Sequence, residues 1–200
     1  MQKLPALAFG KYYHIYNRGI NRGNIFFEDR NYAYFLELYA RHVEPVAQTF
    51  AYCLMANHFH LLVRIKLPRE QTFEVSETSK VYKPIQQFSN FLNAYAKAIN
   101  KAYQRTGSLF EGRFGRIEVK SNQYFARLVH YIHFNPQRHG FVQDFRAYPY
   151  SSYDAFISNK TTRLQRDVVL AWFNGVETFE KTHQQPAEEK GIFDLIGDDE

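Results

Sequence analysis

Hydrophobic and polar positions follow two different periods along this chain of 200 residues. Short runs that are rich in β-branched and aromatic residues, and that are bounded by turn residues, predict strands. Longer runs with apolar residues three and four positions apart predict helices. The predicted strands cover residues 11–17, 49–55, 58–65 and 115–120. Because only Ala56 and Asn57 separate the second strand from the third, those two are predicted to form an antiparallel hairpin.

Three long helices are predicted, over about residues 30–42, 84–103 and 123–135. Asp29 is the predicted N-cap of the first, because its carboxylate can accept from the free amides of the first turn. Pro84 suits the first position of the second, where no amide donor is required. The third helix is predicted to end at Asn135, because a residue that precedes proline disfavours helical geometry.

The predicted order of elements, β–α–β–β–α–β–α, is typical of an α+β fold. We expect a mostly antiparallel sheet of four or five strands, similar to the palm of ferredoxin-like and RRM domains, with helices packed on it. This domain is predicted to cover residues 1–153. Residues 154–200 are predicted to form a small helical C-terminal extension, with helices near 167–173 and 176–183.

Two stretches show no clean period. Residues 67–83 predict a long mobile loop, and the acidic tail after Gln185 is expected to be mobile as well. Residues 186–200 hold six carboxylates against one lysine, so the remaining 185 residues are much more basic than the overall net charge of +5 suggests. A basic body with 15 Tyr and 19 Phe suits single-stranded nucleic acid, although most of these rings are expected to lie in the core.

The single cysteine, Cys53, excludes an internal disulfide and a structural zinc site built on thiolates. A buried, reduced thiol is typical of the cytoplasm. The first nine residues are too briefly apolar for a signal peptide, and no stretch has the length of a membrane span. We therefore expect a cytoplasmic protein with no membrane partner.

The predicted strand over residues 58–65 begins with His58-Phe59-His60. Because side chains of a strand alternate between its two faces, His58 and His60 are expected to point from the same face. Two imidazoles side by side on a rigid strand can share one divalent metal ion. The alternative is a pair of histidines that are satisfied by hydrogen bonds at the surface of the sheet.

The third predicted helix carries Tyr131 and Asn135, four residues apart and therefore on one face. An asparagine carbonyl oxygen can bind a divalent ion. A phenol is a poor nucleophile at neutral pH because its pKa is about 10, and a metal ion that polarises the group under attack reduces that handicap. The alternative is an ordinary half-buried tyrosine followed by a helix C-cap.

Six motifs, which follow one another in a fixed order over about residues 11–153, are similar to those of the single-tyrosine HUH transposases. Within that superfamily the chain most resembles the REP-associated tyrosine transposases. The motifs are Tyr16-Asn17-Arg18-Gly19, Phe26-Phe27-Glu28-Asp29-Arg30, residues 52–62, Leu109-Phe110-Glu111-Gly112-Arg113-Phe114, residues 131–140 and Tyr148-Pro149-Tyr150-Ser151-Ser152-Tyr153. The departures are Ala56 and Tyr150, where the family usually has proline and tryptophan.

The resemblance implies roles for four residues. His58 and His60 match the two histidines that bind Mg²⁺ or Mn²⁺, Asn135 matches the third metal ligand, and Tyr131 matches the nucleophile. In that family the tyrosine attacks single-stranded DNA, which gives a 5′-phosphotyrosine intermediate and a free 3′-hydroxyl, and a second 3′-hydroxyl then rejoins the strands. His133 lies two positions from Tyr131 and is expected to point away from the site.

Candidate DNA contacts lie in two segments. The resemblance implies that Asn17, Arg18 and Arg22 help to recognise a short guide sequence beside a DNA hairpin, and these residue types can pair with guanine and adenine edges. Arg113, Arg116 and Lys120 flank two phenylalanines, a pattern that suits phosphate contact. The alternatives are a solvated surface loop for the first segment and core packing for Phe110 and Phe114.

The sequence thus predicts a metal-dependent transposase and endonuclease that cleaves and rejoins single-stranded hairpin DNA. A domesticated enzyme that nicks and joins chromosomal hairpin repeats would use the same chemistry. A non-catalytic nucleic-acid-binding protein is disfavoured because all four site residues are present. A generic two-histidine hydrolase lacks a carboxylate cluster. The resemblance leaves open whether the chain is a monomer or a homodimer that exchanges the tyrosine helix.

Overall fold

The computed structural model describes residues 6–71 and 82–185. Its centre is a four-stranded sheet in which every neighbouring pair is antiparallel, in the order β2-β3-β1-β4. The strands are β1 (Tyr12–Arg18), β2 (Ala47–Met55), β3 (His58–Ile65) and β4 (Gly115–Val119). The predicted hairpin is present, with β2 and β3 joined at Ala56 and Asn57. The expected α+β architecture is confirmed.

Helices cover both faces of this sheet. On one face, α1 (Asp29–His42) and α2 (Pro84–Ala102) enclose a core of aromatic and aliphatic side chains. On the other face, α3 (Asn122–Arg138) packs against β2 and β3 and forms a second core. The helix that carries the candidate nucleophile is therefore held directly against β2 and β3.

The alternation of β1 and β3 decides which side chains meet α3. Ile15 of β1 and Phe59 of β3 point into the core beneath α1 and α2. Their neighbours His14 and His60 point to the opposite face, where they lie against Tyr131 of α3. The strand period thus places the histidines on the face that is covered by the tyrosine helix.

The start of α1 differs from the prediction. The N-cap is Glu28, and Asp29 is the first residue of the helix rather than its cap, so the expected role of Asp29 is wrong. Glu28 and Asn31 form a reciprocal capping box, in which the side-chain oxygen of Asn31 accepts from the backbone amides of Phe27 and Glu28, at 2.8 and 3.2 Å. This pair of side chains thus caps the start of the helix in place of Asp29.

The end of α3 also differs. The helix does not stop at Asn135 but continues through Pro136 to Arg138. Proline removes one helical hydrogen bond, and the remaining turn is still closed by a bond of 2.9 Å from the amide of His139 to the carbonyl of Asn135. Pro136 is itself buried, so packing offsets the lost bond. The bias against helical geometry before proline is a preference that packing can override.

The C-terminal extension contains α4 (Tyr153–Ile157), α5 (Arg166–Trp172) and α6 (Val176–His183). Phe156 of α4, Val169 of α5 and Phe179 of α6 belong to the same core as the inner face of α3. The predicted helices near 167–173 and 176–183 are present, and α4 is an addition. Most of the predicted 67–83 loop, and the tail after Gln185, lie outside the described residues.

Two further findings bear on the sequence analysis. Cys53 is buried and forms no disulfide, as predicted. Within the described part of the chain, no helix is both long and apolar enough to cross a membrane.

Candidate active site

Two elements, β3 and α3, meet at the candidate site. β3 supplies His58 and His60, whose ring centroids are 5.2 Å apart. α3 places the ring of Tyr131 5.7 Å from that of His60. Tyr131 is almost fully buried, with 3% of its surface exposed. The structure therefore brings the predicted nucleophile against one of the two predicted metal-binding histidines.

One face of α3 runs along the strand of histidines. Tyr131 and Asn135 are separated by four residues and lie above one another on α3, and His139, four residues further on, is the C-cap residue directly after the helix. Tyr131 contacts the ring of His60, and the ring of His139 lies 4.8 Å from that of His58. Asn135 is consequently positioned between two points where the helix touches the histidine pair.

The side chain of Asn135 is completely buried and only half satisfied. Its amide nitrogen donates to the carbonyl oxygen of Tyr131 at 3.0 Å. Its Oδ1 atom is buried and has no hydrogen-bond partner. Because buried polar oxygens are nearly always paired, an unpaired amide oxygen at this position fits a ligand for a cation.

Hydrogen bonds determine which nitrogen of the His58 ring carries the proton. Its Nδ1 atom lies 2.7 Å from Oδ1 of Asn57, and the amide nitrogen of Asn57 donates to the carbonyl of Arg22, which fixes the orientation of that amide. Since an amide oxygen only accepts, Nδ1 of His58 must carry the proton. Nε2 of His58 is then unprotonated and carries a lone pair, which is the form that binds a metal ion.

Burial keeps both predicted ligands neutral. Burial, together with the nearby charges of His139 and Arg18, lowers the pKa of His58 to about 3. Burial and the neighbouring His14 hold the pKa of His60 well below its usual value. Neutral imidazoles are the ligand form, so neither ring has to lose a proton before it binds a divalent ion near neutral pH.

The candidate donors of the site are the Nε2 atoms of two imidazoles and Oδ1 of Asn135. Within residues 6–71 and 82–185, no three or more His, Cys, Asp or Glu side chains are grouped so that they could hold a metal. Imidazole nitrogens and amide oxygens can both bind a divalent ion, and water and phosphate oxygens can fill its remaining positions.

The predicted DNA-binding residues lie on both sides of the sheet. Arg18 is paired with His58 in the register of β1 and β3, so it flanks the candidate site. Its guanidinium binds both carboxylate oxygens of Glu111, with Nη2 3.2 Å from Oε1. Asn17 faces the other way, and its amide donates to the carbonyl of Gly112 at 3.3 Å. Arg22 is exposed on the loop after β1.

A groove of about 650 Å³ lies between α2 and the segment over residues 107–116. Three of the predicted DNA contacts, Asn17, Arg113 and Arg116, line it. The Arg116 guanidinium lies over the ring of Phe114, 5.2 Å from its centroid.

Phe110 and Phe114 are buried, so the alternative prediction of core packing is correct for both. Lys120 is exposed after β4 and is not part of the groove lining.

The structure also adds residues that the sequence pattern did not single out. His14 of β1 hydrogen-bonds to His60, and His139 lies against His58. The spacing of four from Asn135 to His139 was visible in the sequence, but a helix predicted to end at Asn135 leaves His139 outside the site. The contact of His14 depends on the register of β1 with β3, which no local pattern specifies. His133 is fully buried and points away from the candidate site, as predicted, toward His183 and Ser152.

Comparisons with known proteins agree with the family resemblance. No family model matches this chain. A curated protein of Haemophilus influenzae, named "Putative REP-associated tyrosine transposase", is 25% identical over 153 residues, which cover 69% of this chain and 84% of that protein. A solved structure of a REP-associated tyrosine transposase bound to a REP hairpin has a TM-score of 0.61 at 12% identity, over 80% of this chain and 86% of that one. The similarity inferred from the six motifs is confirmed, and the fold is shared.

Proposed function

We propose that this protein is a metal-dependent tyrosine transposase that cleaves and rejoins single-stranded DNA at hairpin-associated sites. The observation that carries the proposal is the position of Tyr131. Its ring lies 5.7 Å from that of His60, on the helix that also holds the unpaired Oδ1 atom of Asn135. A nucleophile, two neutral imidazoles and an amide oxygen are thus collected at one interface between sheet and helix.

In the proposed reaction, Oη of Tyr131 attacks a phosphorus atom of the DNA strand. The bond from phosphorus to the 3′-oxygen breaks, the phenol loses its proton, and the departing 3′-oxygen gains one. The 5′ end remains attached to Tyr131 as a phosphotyrosine. Attack by a second 3′-hydroxyl reverses these steps, so the energy of the phosphodiester bond is conserved through both transfers.

His58, His60 and Asn135 would hold the divalent ion, Mg²⁺ or Mn²⁺. When bound there, such an ion supplies charge stabilisation for the phosphate under attack. The protein's own contribution is geometric. The strand fixes the two imidazoles, and the helix presents Tyr131 and Asn135 from one face.

Hairpin DNA is the proposed partner. The solved structure that shares this fold contains a REP hairpin. The present chain has arginine side chains on both sides of its sheet. Arg18 flanks the site, while Asn17, Arg113 and Arg116 line the groove beside α2. Arginine and asparagine can contact both phosphates and base edges, so the groove suits unpaired nucleotides next to a hairpin.

The test mixes the protein with end-labelled hairpin DNA and Mn²⁺ and looks for a protein–DNA adduct that survives denaturation. We expect an adduct with the natural protein and none with Tyr131→Phe. Tyr124→Phe is the matched control, because Tyr124 lies on the same helix and its buried hydroxyl has no hydrogen-bond partner.

An adduct that persists in Tyr131→Phe would contradict the assigned nucleophile. Binding of the hairpin with no adduct from the natural protein would favour a non-catalytic DNA-binding protein. Adduct formation that survives removal of all divalent ions would contradict the metal dependence.

A further inference from the structure

His14 is a buried histidine with no assigned role. It lies on β1 with no exposed surface, and it faces α3 beside His60. Its Nε2 atom is 2.8 Å from Nδ1 of His60, and the two rings are stacked with centroids 5.0 Å apart. Two imidazoles thus form a direct hydrogen bond inside the protein, next to the candidate nucleophile.

A hydrogen bond between two neutral imidazoles needs one proton, which can reside on either ring. If Nδ1 of His60 carries this proton, then His60 donates to His14, and Nε2 of His60 is unprotonated and carries a lone pair. If Nε2 of His14 carries it, then His60 accepts at Nδ1 and must hold its own proton on Nε2. Only the first arrangement leaves His60 able to bind a metal ion through Nε2.

The remaining nitrogen of His14 does not decide between these arrangements. Its Nδ1 atom is buried and has no hydrogen-bond partner. In one arrangement it is an unpaired donor and in the other an unpaired acceptor, so neither is favoured by a neighbour. What selects the arrangement is the species that faces Nε2 of His60, and a cation there requires the lone pair.

We propose that His14 is a positioning residue, which accepts a hydrogen bond from Nδ1 of His60 and so presents the Nε2 lone pair of His60 to the divalent ion. The inference rests on the proposed metal site. It parallels the bond between Asn57 and His58, where an amide oxygen accepts from the other imidazole. Each candidate ligand would then be oriented by its own acceptor, as is usual for metal-binding histidines.

The first test compares two substitutions by their affinity for Mn²⁺, measured by electron paramagnetic resonance of the free ion. His14→Gln keeps an acceptor at about the position of Nε2, whereas His14→Leu removes it. We expect His14→Leu to weaken Mn²⁺ binding by about 10- to 100-fold, and His14→Gln to restore most of the affinity. His130→Leu is the control for the loss of a buried imidazole, because His130 packs against Phe134 and His183 rather than at the site.

Different outcomes separate the inference from the function beneath it. If the natural protein binds Mn²⁺ and His14→Leu binds it equally well, the role of His14 is wrong while the metal site stands. If the natural protein does not bind Mn²⁺, both the metal site and the role of His14 are wrong. A loss of affinity that is equal in the leucine and glutamine variants would indicate a packing role and would overturn the inference.

A second measurement needs no substitution, and it therefore decides the matter if His14→Leu does not fold. In protein labelled with ¹⁵N-histidine and saturated with diamagnetic Mg²⁺, long-range ¹H–¹⁵N correlation spectra report which ring nitrogen is protonated. We expect the proton of His60 on Nδ1 and that of His14 on its own Nδ1. A proton on Nε2 of either residue would overturn the inference.

Discussion

Arg18 and Glu111 form a two-point ion pair at the margin of the candidate site, although they lie on different segments of the chain. The guanidinium binds both carboxylate oxygens, and the side chains of Arg18 and Glu111 retain 26% and 45% of their exposure. Arg18 is also the register partner of His58. The guanidinium of Arg18, a proposed DNA contact, is thus paired with a carboxylate.

Glu111→Gln should strengthen the binding of single-stranded hairpin DNA. The substitution removes a negative charge beside the site and with it the two-point ion pair of the Arg18 guanidinium. The expected gain is about two- to fivefold, because exposed ion pairs contribute at most ~1 kcal/mol. Fluorescence anisotropy at fixed ionic strength measures it. Glu118→Gln makes the same change in net charge on β4, next to Lys11, and should have a smaller effect; equal effects would mean that only net charge matters.

Arg113→Ala and Arg116→Ala should each make DNA binding less dependent on salt. If each side chain neutralises one phosphate of a single strand, the slope of log K against log salt should fall by about 0.7 per substitution. The measurement is a titration at several NaCl concentrations. Lys160→Ala is the control, because Lys160 is an exposed cation that pairs with Asp154 in the C-terminal extension. Unchanged slopes in both arginine variants would contradict the proposal that DNA binds in this groove.

Asn135→Leu should weaken Mn²⁺ binding by on the order of tenfold or more, because it removes the unpaired buried oxygen. Asn135→Asp retains an oxygen at that position and should keep the affinity or raise it. Isothermal titration calorimetry compares the two variants, and circular dichroism checks that both are folded. Equal affinities in the leucine variant and the natural protein would exclude Asn135 as a ligand.

The protein should lose stability as the pH falls below about 6.5. Burial lowers the pKa of His183 to about 3 and holds that of His133 well below its usual value. Between the unfolded and folded pKa values only the unfolded chain takes up the proton, so the free energy of unfolding decreases with falling pH. Each such histidine contributes at most ~1.4 kcal/mol per pH unit.

Urea unfolding at pH 4 to 7 measures this slope. His183→Gln should make it shallower, and Lys181→Gln, at an exposed position on the same helix, should leave it unchanged. A slope that is the same in the natural protein and in His183→Gln would contradict the buried, neutral state of His183.

Local periodicity was sufficient to predict the four strands, the hairpin and the common face of His58 and His60. It was sufficient because the alternation of a strand depends only on neighbouring residues. The bond from His14 to His60 could not be predicted in this way, since it depends on which strands pair and in which register. The sequence contains both histidines, but only the sheet brings them together.

Capping and proline rules gave the two wrong element boundaries. Both rules describe local preferences, and in both cases a buried side chain decided otherwise. Glu28 is the N-cap of α1 and forms a capping box with the buried Asn31, so the helix begins at Asp29 and is not capped by it. Pro136 is buried within α3, and the helix continues beyond it to Arg138, so that its C-cap residue His139 lies against His58. The missed site residue and the misplaced helix end thus have one cause.

The helix α3, which carries the candidate nucleophile, has a second interface with the C-terminal helices. His133, two residues after Tyr131, bonds through Nδ1 to His183 of α6 at 2.9 Å and through Nε2 to Ser152 at 2.7 Å. This bond links α6 directly to the turn of α3 that holds Tyr131. Under the proposed function, we expect substitutions in α6 to alter the rate of strand cleavage without contacting DNA, the metal ion or Tyr131.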